Sequence, residues 1–360
     1  MRGMPGRATA TVSVRAVVLS AALLACSLLG AIPDHARAAF GDARIFAPFP
    51  SDPGSPEAIV VRRGKVYVSG GTPVVFGGKG PSTVMVYDRA TGAVLRRYDG
   101  AGASGMAFDR AGRLYVLGDM GLGRLDLKTG ALERYAPHPP DLKPCVPLVV
   151  KPPCSPTPVD LAPSMNELAF APDGDAYFSD SGQATIWRIP RGGGAPQIWF
   201  QDSRLATAFV GVNGLRIEPS GRRMFMAVTL DLLGTSLVYA LPLVDRPAAR
   251  QLRVFHRLPV GDGPDGIAFG ARGDLYVAIG SPLSSGIVVL RPDGTQRARL
   301  CNPPGALFAP FRGPADIAFD GAGKILVTNH AAFTEVLRDF SITEADVGDR
   351  GARLFTPRIP

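Results

Sequence analysis

One pattern returns six times along this chain, and a sequence that repeats a strand–turn–strand unit in this way has few folds open to it. Each copy runs through a polar or small lead residue, a second mostly small one, three mostly apolar residues, a turn with Gly, and a second apolar strand. The first three copies are Glu57-Ala58-Ile59-Val60-Val61 with Gly64 and Val66-Tyr67-Val68, Ser104-Gly105-Met106-Ala107-Phe108 with Gly112 and Leu114-Tyr115-Val116, and Asn166-Glu167-Leu168-Ala169-Phe170 with Gly174 and Ala176-Tyr177-Phe178. The others are Asn213-Gly214-Leu215-Arg216-Ile217 with Gly221 and Met224-Phe225-Met226, Asp265-Gly266-Ile267-Ala268-Phe269 with Gly273 and Leu275-Tyr276-Val277, and Ala315-Asp316-Ile317-Ala318-Phe319 with Gly323 and Ile325-Leu326-Val327. The Gly follows the lead residue by eight positions in five copies and by seven in the first.

Lead residues are separated by 47, 62, 47, 52 and 50 positions, close to the roughly 40 to 50 residues of a four-stranded propeller blade. Each unit has room for two further strands around a hairpin, as in Val84-Met85-Val86-Tyr87 into Arg96-Arg97-Tyr98 across the Asp88–Gly92 turn. The repeat predicts an all-β chain, a six-bladed β-propeller of four-stranded blades over residues 39–360. Closing six blades into a ring leaves no long exposed sheet edge. The short strand Ala43-Arg44-Ile45-Phe46, which echoes Ala352-Arg353-Leu354-Phe355, is expected to complete the last blade. The Tyr residues of the second strands, Tyr67, Tyr115, Tyr177 and Tyr276, read as packing between blades.

Composition agrees with this: 43 Gly and 34 Pro in 360 residues recur between short apolar runs, which disfavours long helices. With 46% hydrophobic and 19% charged residues the chain is neither disordered nor a multi-span membrane protein. The net charge of +8 comes from scattered Lys and Arg, so no nucleic-acid partner is expected. Residues 1–38 read as an export signal: Arg2, Arg7 and Arg15 precede the apolar run Ala16–Ile32, and Ala36-Arg37-Ala38 offers a cleavage site. The rival readings are a retained anchor and a lipid-attached form at Leu23-Leu24-Ala25-Cys26. A periplasmic or extracellular monomer with no stable membrane insertion is expected after cleavage.

In that compartment Cys145 and Cys154, nine positions apart in the Pro-rich stretch 138–164, could form a disulfide and leave Cys301 free; three unpaired thiols are the alternative. The Pro-rich stretch reads either as a lid over the site or as a surface excursion.

The innermost strand of each propeller blade lines the central channel. Six lead positions, Glu57, Ser104, Asn166, Asn213, Asp265 and Ala315, would therefore ring one end of it. Two carboxylates and two amide oxygens converging there suit a hard divalent cation, Ca2+ first among them, and the absence of His and Cys from the ring argues against zinc. No phosphate-binding Gly loop, nucleophile elbow or haem motif is present.

Three stretches carry a resemblance: Pro264-Asp265-Gly266 followed by Gly273-Asp274-Leu275-Tyr276-Val277-Ala278, Val212-Asn213-Gly214-Leu215, and Met165-Asn166 followed by Pro172-Asp173-Gly174. They look like the senescence marker protein/gluconolactonase/luciferin-regenerating enzyme family, relatives of diisopropyl fluorophosphatase and the paraoxonases, from about Gly41 to Pro357. That resemblance implies a divalent ion held by Glu57, Asn166, Asn213 and Asp265. Sugar-lactone members often carry Arg two residues before the third-blade Asn, where this chain has Ser164.

The activity implied is metal-assisted hydrolysis of a lactone or related ester. Asp265 would act as ligand and base, and His330 as a proton shuttle. Asp180, Asp231 and Asn329, near the ends of second strands, are expected at the substrate rim. The alternative is a non-catalytic NHL-like propeller that binds a protein or small molecule.

Overall fold

The computed structural model describes residues 42–360 apart from 72–81, 103, 146–152, 209, 232, 304, 305, 307, 308 and 332–339. The expected export segment lies outside the described residues. Strand β1 (Ala43–Pro48) comes first and stands apart from the regular repeat. Blade one then holds β2 (Pro56–Arg62), β3 (Lys65–Gly70), β4 (Thr83–Asp88) and β5 (Val94–Asp99), and blade two holds β6 (Met106–Phe108), β7 (Leu114–Gly118), β8 (Gly121–Leu125) and β9 (Leu132–Ala136). Blade three is β10 (Met165–Phe170), β11 (Ala176–Asp180), β12 (Thr185–Ile189) and β13 (Gln197–Gln201), and blade four is β14 (Val212–Ile217), β15 (Arg223–Val228), β16 (Ser236–Pro242) and β17 (Arg253–Leu258). Blade five contains β18 (Pro264–Phe269), β19 (Leu275–Ile279), β20 (Gly286–Leu290) and β21 (Gln296–Cys301), and blade six contains β22 (Pro314–Phe319), β23 (Lys324–Asn329), β24 (Ser341–Asp346) and, outermost, β1.

The innermost strands β2, β6, β10, β14, β18 and β22 pack each against the next, and β22 returns to β2, which closes the ring. Strand β1 supplies the closure predicted for it by pairing antiparallel with β24, Ala43 opposite Ala345. Its echo at Ala352–Phe355 does not join a blade. It belongs to a segment that crosses the opposite end of the channel. Among the described residues no helix is long and apolar enough to cross a membrane.

The core is divided among the six contacts between neighbouring blades, each a separate apolar cluster. Second-strand aromatics meet the last aromatic of the next blade's inner strand edge-on: Tyr67 with Phe108 at 5.0 Å, Tyr115 with Phe170 at 5.1 Å, Phe225 with Phe269 at 5.1 Å and Tyr276 with Phe319 at 5.0 Å. Such pairs add about 0.5–1.5 kcal/mol each beyond area burial, and they fix the angle at which blades stack. Tyr177 instead meets Trp199 inside its own blade.

Cys145 and Cys154 are joined by a disulfide. Cys301 is disulfide-bonded as well, which corrects the expectation of a free thiol: spacing along a chain does not determine a cysteine's partner. The described part of the Pro-rich stretch is tied to the β11–β12 turn of blade three, where Leu142 N–H donates to Gln183 Oε1 at 3.0 Å and Ser155 Oγ donates to the Gln183 carbonyl at 3.2 Å.

Candidate functional site

A shared irregularity positions the lead residues. In five blades the inner strand carries one residue more than its neighbour between consecutive pairs, for example Pro264 opposite Ile279 and then Ile267 opposite Val277. Glu57, Asn166, Asn213, Asp265 and Ala315 each open such a bulge. A bulge breaks the two-residue alternation and re-aims side chains; here it occurs at the same end of every strand concerned.

The bulge N–H groups need new acceptors. In three blades the residue facing the bulge is a hydroxyl that takes this role: Ala58 N–H donates to Ser69 Oγ at 3.0 Å, Glu167 N–H to Ser179 Oγ at 3.1 Å and Asp316 N–H to Thr328 Oγ1 at 2.9 Å. Ser179 and Thr328 donate onward to the carbonyls of Asn213 and Glu57 in the next blade, both at 2.5 Å. Thr229 accepts from Asn213 Nδ2 at 2.9 Å and donates to the Pro264 carbonyl at 2.8 Å. Ser69, Ser179 and Thr328 hold the lead residues in place and were missed in the sequence, although they recur 12 or 13 positions after the lead residue of their own blade.

Asp265, Asn213, Glu57 and His330 come together. His330 Nε2 lies 3.4 Å from Asp265 Oδ2, and the imidazole sits beside Gly280 and Gly313, where an added Cβ would approach the ring to 3.7 and 3.3 Å. Burial pushes Asp265 well above the usual carboxylate range, and Asp316 adds repulsion against the opposing pull of a hydrogen bond from Asn213. Burial likewise raises Glu57, to about 8, with repulsion from Asp265 next and an opposing attraction from His330. His330 is lowered by burial, Glu57 partly compensating. Glu57, Asn166 and His330 keep partial solvent exposure, whereas Asn213 and Asp265 are buried. Asn166 occupies the matching bulge of blade three, its carbonyl accepting from Gly105 N–H at 2.6 Å, but no hydrogen bond joins its amide to the other four.

Beneath this group lies a buried ionic layer. Arg216 Nη1 is 2.7 Å from Glu167 Oε1 and its Nη2 is 3.4 Å from Asp316 Oδ1, while Asp316 Oδ2 accepts from Ile59 N–H at 3.0 Å. Burial raises both carboxyls and Arg216 pulls them back. In the sequence Glu167 and Asp316 are only the residues after two lead positions, and nothing there sets Arg216 between them.

The expected substrate rim is not built from Asp180, Asp231 and Asn329. Asp180 is fully buried, its Oδ1 accepting from Ser164, Gly182 and Gln183 N–H groups and its Oδ2 from Trp187 Nε1. Asp231 closes its own turn through Leu233, Thr235 N–H and Thr235 Oγ1. Asn329, also fully buried, ties Arg312 N–H to Ser341 and Thr343. Polar residues at strand ends are drawn into turn chemistry when the loop's own N–H groups lack partners.

Among the described residues no three His, Cys, Asp or Glu side chains form a group that could hold a metal. Any cation here would rest on a mixed set of carboxylate and amide oxygens. The fit is favourable at one atom in particular: Asn213 Oδ1 is buried and has no hydrogen-bond partner. An orphaned buried carbonyl oxygen costs about 1–3 kcal/mol, and beside two crowded carboxyls it suits a hard cation.

Fold and channel define a six-bladed propeller with a polar group at one end of its axis. Residues 80–328 match the family described as the SMP-30/gluconolactonase/LRE-like region, and the chain belongs to that family. No curated protein sequence resembles it closely enough to count as a match. Among solved structures it is similar to a calcium-binding protein, regucalcin, from Agrobacterium tumefaciens strain C58, with 17% identity, coverage of 89% of this chain and 98% of that one, and a TM-score of 0.62. A gluconolactonase from Xanthomonas campestris gives 19% identity, 87% and 92% coverage and a TM-score of 0.57. A luciferin-regenerating enzyme gives 12%, 87% and 99%, and 0.60. At these identities the likeness supports the fold.

Proposed function

We propose that this chain hydrolyses a lactone or related ester at the Asp265 end of the channel and depends on a divalent cation, with Ca2+ the first candidate. The reading rests on Asp265 and His330 meeting at 3.4 Å next to the unpartnered Asn213 Oδ1. Family membership supports the reaction class. Glu57, Asn166, Asn213 and Asp265 would hold the ion, which when bound supplies positive charge to polarise a carbonyl. Asp265, held in its ionised form when the cation is bound, takes a proton from the attacking water. His330, kept neutral by its burial, receives that proton at Nε2 and returns it to the leaving alkoxide. Where Asp265 instead attacks the carbonyl directly, His330 takes the proton of the water that then cleaves the acyl group from Asp265 and gives it to the alkoxide. The Cys145–Cys154 disulfide supports action outside the cytoplasm.

A thermal melt of the full chain, in chelator and then with Ca2+, tests the ion, and a panel of lactones and aryl esters tests the reaction. A ligand that binds only the native state at a hundredfold excess over its Kd adds about 2.7 kcal/mol. A calcium-dependent rise lost in Asp265→Ala, together with hydrolysis lost in Asp265→Asn, is expected. No shift with calcium, magnesium, manganese or zinc, and no turnover, would leave a binding propeller in its place.

A further inference from the structure

The other end of the channel is built differently. Below the Glu167–Arg216–Asp316 layer it widens into a chamber of about 460 Å³ lined by the far ends of the inner strands, including Ile59, Met106, Leu168, Ile217, Phe269 and Ile317. That size falls within the range of small-molecule sites, roughly 300–1,000 Å³. The segment after β24 crosses the mouth. It is held on blade five, where Ala352 N–H donates to the Phe269 carbonyl at 2.8 Å, and on blade two, where Arg110 N–H donates to the Pro357 carbonyl at 2.9 Å. Ile359 is buried among blade-two and blade-three side chains.

Charge in this chamber is one-sided. Arg62, Arg63, Arg89, Arg216 and Arg353 line it, against one carboxylate among the described lining residues, Asp320. Asp320 is already taken by Arg89 at 2.6 Å. Arg63 and Arg353 are exposed and make no ion pair among the described residues, and Arg89 Nε is buried without a hydrogen-bond partner. Arg89 is also paired with Glu344, so the apolar interior lies behind the unpaired guanidinium groups of Arg63 and Arg353, which matches a ligand with an apolar body and one anionic end.

We propose that this chamber binds a small amphipathic carboxylate, its acyl chain lying in the channel and its carboxylate met at the mouth by Arg63 and Arg353. The site is separate from the Asp265 end and does not rest on the activity proposed there.

Isothermal titration of the chain with decanoate tests this, with decanol and decylammonium as charge controls. Saturable 1:1 binding of decanoate is expected, with both controls at least about tenfold weaker, since the guanidinium–carboxylate pair carries the preference. Arg63→Glu combined with Arg353→Glu should weaken decanoate at least about tenfold without changing the melting midpoint, because both side chains are exposed. Ala107→Trp, which fills the chamber, should block binding, and Asp265→Asn should leave it unchanged. Absence of saturable binding, equal affinity for decanol, or indifference to the double charge reversal would overturn the proposal. Loss of binding in Asp265→Asn would overturn it too, by placing decanoate at the other end.

Discussion

His330 Nε2 stands 3.4 Å from Asp265 Oδ2 across the boundary between blades six and five. The two residues come from different structural roles: Asp265 opens a bulge in an inner strand, and His330 follows β23 directly, with its N–H donating to the Gly313 carbonyl at 3.0 Å. Catalytic hydrogen bonds are often long before substrate arrives and tighten around it. His330→Gln should therefore lower kcat about 10²-fold while the calcium-dependent rise in melting midpoint persists. Asp265→Asn should abolish both. Activity within twofold of wild type in His330→Gln would remove the histidine from the mechanism.

The raised Glu57 gives a pH dependence with a definite sign. Its native value is about 8 against an ordinary 4.5, so without an ion the native state binds more protons than the unfolded chain between those limits. Stability with chelator should fall as pH rises from about 4.5 to about 8. An ion must displace that proton, so apparent calcium affinity should climb with pH up to about 8, by at most roughly tenfold per unit for one proton. Melts and calcium titrations at pH 6, 7, 8 and 9 check both, and Glu57→Gln should reduce the slope between pH 6 and 8, leaving the part carried by Asp265, which burial also raises. Glu344 has the opposite sign: the Lys324, Arg89 and Arg44 partners overcome its burial and hold it at about 2, so its contribution is lost as pH falls from about 4.5 toward 2.

Arg216 is the sole cation of the ionic layer named above, paired with Glu167 and Asp316. Removing one partner of a buried ion group leaves uncompensated charge and costs about 3–5 kcal/mol. Arg216→Met should destabilise by that amount in urea unfolding. Adding Glu167→Gln and Asp316→Asn should recover much of it, because the charges that needed Arg216 are gone. A loss under about 1 kcal/mol in the single variant would show that water already reaches the layer.

The ring of blades was legible because one strand–turn–strand unit repeats with its Gly in nearly fixed phase. Strand β1 was placed in the last blade through its echo of Ala352–Phe355, and it does pair there, with β24, although the echo itself joins no blade. Glu57, Asn213 and Asp265 were legible as a group for the same reason, since equal phase in a closed ring means equal height on its axis. Asp180 and Asn329 misled because a polar residue at a strand end reads the same whether it faces substrate or loop N–H groups. Ser69, Ser179 and Thr328 went unseen because their role exists only across a bulge, which the repeat does not reveal until the register is known. Arg216 reads as one charge in an apolar strand, and its two partners lie in blades three and six.

Asn213-Gly214 and Asp265-Gly266 resemble turn dipeptides, yet both lie within inner strands, and neither Gly has a positive φ. Space is the reason for Gly: a Cβ on Gly214 would strike the Asp265 carbonyl, with Gly266 Cα only 2.8 Å away, and one on Gly266 would strike the Asp316 carboxylate and the Ala315 carbonyl at 2.6 Å. Adjacent blades thus approach backbone to backbone at the candidate site, which sets how near Asn213 stands to Asp265. Gly214→Ala must push the blades apart there, at a cost of about 1–3 kcal/mol typical of overpacking. The calcium-dependent rise should shrink with it, because the displaced atoms are the backbone of the proposed ligands. Gly192→Ala, at a hairpin tip where nothing lies within 4 Å, serves as the control: its positive φ of 103° can cost stability, but its calcium response should match wild type. Equal loss of calcium response in both variants would mean that the inter-blade approach does not position the site.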